Sequence, residues 1–290
     1  MKVLITGCNG QVGKCLTKNL AENAEILAVD YQDLDITDQA AVFNVFLDFQ
    51  PDYIVNAAAH TAVDRAEEEV DLSFKVNRDG PKFLAEAAQA CGAVILHIST
   101  DYVFGGEGSG LYTESDKTDP QCVYGESKLA GEAAVVENCE NHLILRTAWV
   151  FGEHGNNFVK TMLKLAETRD ALSIVGDQFG GPTYAKDISD ALVKMIESIE
   201  AGKQPEWGVY HFSGLPHVSW FEFAEYIFNT AHKEGILDTI PQLTSIPTSS
   251  YPTPAKRPEN SRLDCQKIEN QFQIKPSDWQ AALTNIQAYK

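Results

Sequence analysis

Tyr124 and Lys128 stand four residues apart in Tyr124-Gly125-Glu126-Ser127-Lys128. On a helix that spacing puts a phenol and an ammonium on one face. A free tyrosine has a pKa of about 10, too high to exchange a proton readily at neutral pH. An ammonium about 4 Å away contributes roughly 4 kcal/mol of attraction to the phenolate at an effective dielectric of about 20. At ~1.4 kcal/mol per unit, the spacing predicts a phenol pKa lowered by a few units at most. Such a phenol can hand a proton to a carbonyl oxygen as hydride reaches the carbon. Y-x-x-x-K alone is common on exposed helices. Ser99-Thr100 sharpens it, because a hydroxyl at the end of an apolar run can polarise a carbonyl or relay the proton.

A second group could hold a dinucleotide. Gly7-Cys8-Asn9-Gly10-Gln11-Val12-Gly13 follows an apolar run and opens a helical pattern. Glycine allows a tight turn, close approach to a pyrophosphate, and close packing of helix on strand. The helix start offers free N–H groups and partial positive charge to phosphates. Asp30 ends the next apolar run, where an acid accepts hydrogen bonds from the adenosine ribose. It would repel the 2′-phosphate of NADP, and only Tyr31-Gln32 follows, with no Arg. This favours NADH without excluding NADPH. Asp35-Ile36 is placed to flank the adenine. Ala59, His60 and Thr61 close the small-residue stretch Asn56-Ala57-Ala58-Ala59-His60-Thr61, where a cofactor can lie against backbone.

The elements that must position these groups alternate between apolar runs and helical patterns, which predicts a parallel sheet wrapped by helices. Strands are expected at 2–7, 25–30, 53–59, 94–100, 142–151 and 207–213, and helices at 13–22, 39–49, 79–91, 157–168, 185–199 and 221–232. The fold class is α/β: a Rossmann-like, doubly wound parallel sheet with a smaller C-terminal substrate-binding lobe. Residues 1–150 with about 184–214 form the NAD(P)-binding domain; 151–183 and 215–290 form the substrate lobe. The segment Ile246–Pro258 is rich in proline and reads as a loop.

The chain of 290 residues carries a formal net charge of −18 and six Cys with no C-x-x-C pair. That field repels a phosphate backbone, so nucleic acid is excluded as a partner. Scattered cysteines fit a reducing compartment, the cytoplasm. No apolar run is long enough for a membrane span, and no leader precedes the first strand. An anionic substrate must then be met by local bases. Lys256, Arg257 and Arg262 crowd the proline-rich loop, and Lys160 lies on a helix. Arg257 or Arg262 is expected to grip a diphosphate bidentately.

The stretches ITGCNGQVG, VNAAAHTAVDRAE, STDYVFGG, YGESKLAGE, LRTAWVFG, GNNFVKTML, DQFGGPTY and TPAKRPENSRLD run nearly the whole length. In that order they resemble the extended short-chain dehydrogenases, and within them the reductases that act on dTDP-4-dehydro-L-rhamnose. The resemblance implies reduction of its 4-keto group with NADPH or NADH, giving dTDP-L-rhamnose for cell-surface polysaccharide. It assigns proton donation to Tyr124, supported by Lys128 and Thr100. It puts Gly10, Gln11, Val12, Asp30, Asp35, Ile36, Ala59, His60 and Thr61 on the cofactor. It sets Thr100, Asp101 and Trp149 against the sugar, with Trp149 giving a flat apolar wall and one N–H donor.

Dehydratases of the same resemblance carry a Glu after the Asp, where this chain has Tyr102, so dehydration is disfavoured. Some relatives form Mg²⁺-bridged dimers through a Glu on the first helix. Here that turn reads Lys14-Cys15, which implies a metal-independent enzyme, a monomer or weak homodimer. The alternatives are a reductase or epimerase of another nucleotide sugar, or a non-catalytic NAD(P)-binding regulatory subunit of the same fold.

Overall fold

A computed structural model describes all residues, Met1–Lys290. Six short strands form one all-parallel sheet: β1 (Lys2–Thr6), β2 (Glu25–Val29), β3 (Tyr53–Asn56), β4 (Val94–Thr100), β5 (His142–Thr147) and β6 (Gly208–His211). Their order across the sheet is β6-β5-β4-β3-β1-β2. Strands β3 and β5 are buried along their whole length, as expected where helices cover both faces of a parallel sheet. Side-chain alternation along β1 sends Val3 and Ile5 to one face and Leu4 to the other.

Helices α1 (Gln11–Leu20) and α6 (Ala185–Glu200) cover the first face, with Leu16, Leu20, Ile188 and Leu192 in one cluster. Helices α2 (Gln39–Phe49), α3 (Gly80–Cys91) and α4 (Val123–Asn138) cover the other, through residues such as Phe46, Leu84 and Val135. A separate apolar cluster holds the second lobe. It joins α5 (Phe158–Ala166) and α7 (Trp220–Lys233) to the chain end through Met162, Phe223, Phe228, Trp279 and Tyr289. A capping box, Ser219 with Glu222, starts α7.

Two expectations are corrected. The run 142–151 is not one strand. Strand β5 stops at Thr147, Trp149 takes a positive φ of 49°, and Val150–Phe151 pairs instead with Thr183–Tyr184. Apolar character continues through the break because Phe151 enters the core of the second lobe. Nor do residues 215–290 make a single lobe. Helix α8 (Gln266–Phe272) returns to the sheet, where Cys265, Ile268, Phe272 and Ile274 join the α1–α6 face.

Helix α4, which carries Tyr124 and Lys128, is pressed against the π-helical turn Lys75–Asp79. A Cβ on Gly131 would lie 2.0 Å from the Asn77 carbonyl oxygen, a backbone atom that cannot swing aside. Gly131→Ala should therefore cost about 1–3 kcal/mol in urea unfolding. Gly110→Ala, with open space around it, should stay within about 0.5 kcal/mol of the parent.

Candidate active site

The sheet order reverses between β1 and β3, and open α/β sheets bind ligands at the carboxyl ends of strands flanking such a switch. A cleft of about 700 Å³ lies there. Gly7, with φ of 69°, closes its floor: a Cβ would come within 2.8 Å of Ala57 and Ala58 backbone atoms. Gly13 stands under the turn, where a Cβ would be 2.1 Å from the Gly7 oxygen. Gly10 caps α1 with no side-chain hydrogen bond, so the free N–H groups of the first turn are not masked by a side chain of the cap. These features fit a dinucleotide pyrophosphate.

Gly7, Gly10, Gln11, Val12, Asp30, Asp35, Ile36, Ala59 and Thr61 line the cleft. The Asp30 carboxylate is oriented by the backbone N–H groups of Asn9 (2.9 Å) and Tyr31 (2.8 Å). Asp35 accepts from the Thr37 N–H and hydroxyl. Gly13 and His60 are absent from the lining. The His60 ring is taken by Ser73 (3.0 Å) and Glu69 (3.1 Å), a structural role that its strand-end position did not reveal.

At the other end, Thr100, Asp101, Tyr124, Lys128 and Trp149 face the same cleft. Alternation along β4 turns His97 and Ser99 toward α4. Ser99 donates to Glu132 (2.5 Å), which also receives two bonds from Arg146 at 2.9 and 2.7 Å. Ser99 is thus committed to a buried ion pair. Thr100 is the hydroxyl beside Tyr124, though its own proton goes to Asp101 Oδ1 (2.9 Å).

The expected acidification of Tyr124 by Lys128 is not found. Burial pushes the phenol up, and the nearby Thr100 hydroxyl offsets this only in part. The Lys128 amine instead donates to the Ile98 carbonyl (2.7 Å) and lies 3.4 Å from His97 Nε2. Burial brings Lys128 down to about 8, while Glu132 pulls the other way. A buried phenol that keeps its proton is in the form a proton donor needs. Tyr102 packs edge-on against it, with ring centroids 5.4 Å apart.

Three site features escaped the sequence reading. Trp220, at the start of α7, stacks on Trp149 with centroids 3.5 Å apart and planes within 9°. Gly180 backs that pair, since a Cβ there would lie 2.6 Å from Trp149 Cε2. Glu67 takes the Val123 N–H (2.9 Å) and so caps the helix bearing Tyr124. The capping box marks where α7 begins, but no local signal announces the stacking or the long-range cap. Arg257 and Arg262 lie outside the lining. Arg257 pairs with both oxygens of Asp64 (3.0 and 2.7 Å); Arg262 holds Asn260 and covers the Phe179 ring. No cluster of three or more His, Cys, Asp or Glu gathers in metal-binding fashion.

Asp101 is nearly inaccessible, and its Oδ2 has no partner. Burial pushes its carboxyl up to about 6 from 3.8, with Ser261 and Thr100 opposing. The folded state therefore holds the proton more tightly than the unfolded chain, and stability falls as pH rises through that window. Asp101→Asn should gain on the order of 1–3 kcal/mol at pH 7.5. The gain should vanish by about pH 2.5, well below the ordinary value of 3.8, where both states carry the neutral group. Urea titrations at the two pH values read this directly; an equal gain at both would assign the effect to packing.

Residues 1–289 match the family model described as RmlD substrate binding domain. The chain is 51% identical over 290 residues to a dTDP-4-dehydrorhamnose reductase of Aggregatibacter actinomycetemcomitans, covering 99% of each. A crystal structure of a dTDP-4-dehydrorhamnose reductase from Clostridium acetobutylicum superposes with TM-score 0.91 at 42% identity, covering 98% of this chain and 97% of that one. The Bacillus anthracis enzyme of that name, in complex with NADP, gives TM-score 0.91 at 37% identity, covering 100% and 99%. Matched over its whole length, the chain belongs to the dTDP-4-dehydrorhamnose reductase family.

Proposed function

We propose that this chain reduces the 4-keto group of dTDP-4-dehydro-L-rhamnose to dTDP-L-rhamnose, using NADPH or NADH. One observation carries the reading: a buried, protonated phenol and an amine share a single cleft with a glycine turn and an uncapped helix start. When bound there, a reduced nicotinamide supplies the hydride. Tyr124 gives its phenolic proton to the ketone oxygen, so the ketone becomes an alcohol and the phenolate is left on the enzyme. Thr100 orders the carbonyl oxygen beside the phenol. Lys128 steadies the phenolate through its positive charge and returns a proton to it. Gly7, Gly10, Gln11, Val12, Asp30, Asp35, Ile36, Ala59 and Thr61 bind the cofactor. The unpartnered oxygen of Asp101 accepts a sugar hydroxyl, and the Trp149 indole covers the apolar face of the deoxysugar.

The cleft takes a small molecule, and no helix is long and apolar enough to cross a membrane. We place the reaction in the cytoplasm, in keeping with six unpaired cysteines, and the protein as a monomer or weak homodimer without need of Mg²⁺.

Tyr124→Phe should lower kcat about 10²–10⁴-fold, since it removes only the transferred proton. Its NADPH affinity, read by cofactor fluorescence, should stay within about 2-fold, because this aromatic-for-aromatic exchange loses at most one hydroxyl contact. A mutant as fast as the parent would end the mechanism. Nucleotide-sugar preference is tested by NAD(P)H oxidation with the dTDP substrate beside its UDP and GDP counterparts. We assign Arg257 and Arg262 to the diphosphate end, where Arg257 must exchange Asp64 for phosphate oxygens. Each Arg→Ala variant should raise KM for the nucleotide sugar more than it lowers kcat, and an unmoved KM in both removes this role.

A further inference from the structure

Asn56, fully buried on β3, has a fixed orientation. The Ala58 backbone N–H, which can only donate, reaches its Oδ1 (3.2 Å), and the Thr6 hydroxyl donates to the same oxygen (2.7 Å). Its Nδ2 therefore presents a hydrogen to His97 Nδ1, 2.9 Å away. His97 must accept at Nδ1, so its single ring proton sits on Nε2. That nitrogen faces the Lys128 amine at 3.4 Å, a long approach beside the 2.7 Å from the same amine to the Ile98 carbonyl. Toward an ammonium, an Nε2–H sets donor against donor. Toward a neutral amine it makes a hydrogen bond.

We propose that His97 is a positioning residue for the reaction: fixed as its Nε2–H tautomer by Asn56, it turns a donor toward the Lys128 amine and keeps that lysine ready to release its proton. His97 is fully buried and stands behind the cleft, acting on the reaction only through Lys128. Burial and the adjacent Lys128 keep the imidazole itself neutral. The other groups around Lys128 are accounted for. On α4, Glu132 lies one turn ahead, tied to Arg146 of β5 and to Ser99, while Tyr124 lies one turn behind as a neutral phenol. Beyond the end of β4, Asp101 is turned to Thr100, and β1 and β3 contribute the uncharged Thr6 and Asn56. Burial disfavours the ammonium and Glu132 favours it; the Nε2–H of His97, 3.4 Å away, adds to the side of burial. A lysine balanced in this way can reprotonate Tyr124 after each turnover without holding its own proton too firmly.

The inference rests on the proposed roles of Tyr124 and Lys128, but its test needs no turnover. In the cofactor-free protein carrying ¹³C-labelled lysine, the Lys128 ε-methylene signal, assigned by its loss in Lys128→Met, is followed against pH. The parent midpoint should fall near 8. In His97→Asn the amide oxygen can replace Nδ1 for Asn56, while the donor toward Lys128 is gone. The midpoint should then rise by about one unit or more. In His97→Gln the amide nitrogen can stand where Nε2 stood, and the midpoint should remain near the parent value. Movement in the Asn variant alone supports the proposal; no movement in either, or equal movement in both, overturns it. Should the variants fold poorly, ¹⁵N shifts of the His97 ring in the parent decide: an Nδ1–H tautomer refutes the assignment. Turnover of the parent with the keto sugar tests the underlying reading separately.

Discussion

An ammonium enters a protein interior only where oxygen meets it, and between α4 and the sheet the Ile98 carbonyl is that oxygen for Lys128. Burying this side chain draws the rest of the wall into place. Glu132, one turn further along α4, is held by Arg146 and Ser99, so helix, β4 and β5 are joined by side chains as well as by apolar packing. Losing one partner of such a buried pair costs about 3–5 kcal/mol, a large share of the ~5–15 kcal/mol that keeps a domain folded. The phenol of Tyr124 inherits its position from this fastening, because it rides the same helix one turn earlier.

Stability is surrendered where the chemistry is expected. Asp101 leaves a carboxylate oxygen buried without a partner, and Trp149 holds a left-handed backbone conformation uncommon for a residue with a side chain. Both border the cleft, and both are fixed by neighbours: Thr100 for the carboxylate, Trp220 and Gly180 for the indole.

The overall charge of −18 sharpens the question of how an anionic ligand is held. Among the cleft-lining side chains Lys128 is the one basic group, against the carboxylates Asp30, Asp35 and Asp101 elsewhere in the lining. Attraction for the cofactor's pyrophosphate therefore falls to backbone: the N–H groups at the start of α1 above the Gly7 turn. Such donors carry no net charge and need no counter-ion when the cleft is empty, so they coexist with a strongly acidic surface.

Much of this was legible in the chain itself. Short apolar runs and helical patterns gave the alternating α/β order, and the glycine spacing marked the turn, because sterics act between near neighbours and leave a local trace. The Tyr124–Lys128 pair was readable for the same reason, since four residues are one helical turn. Other features depend on partners far along the chain. The partner of Lys128 is decided by which β4 groups face α4; His60 goes to Ser73 and Glu69 instead of the cleft; Arg257 goes to Asp64. The acidified phenol expected from spacing gave way to a raised one, because burial is a property of the assembled fold. Sequence determined which groups could meet within a turn or a strand. Tertiary structure decided which of them lose water and what they meet on the far side, and those two conditions set their charge.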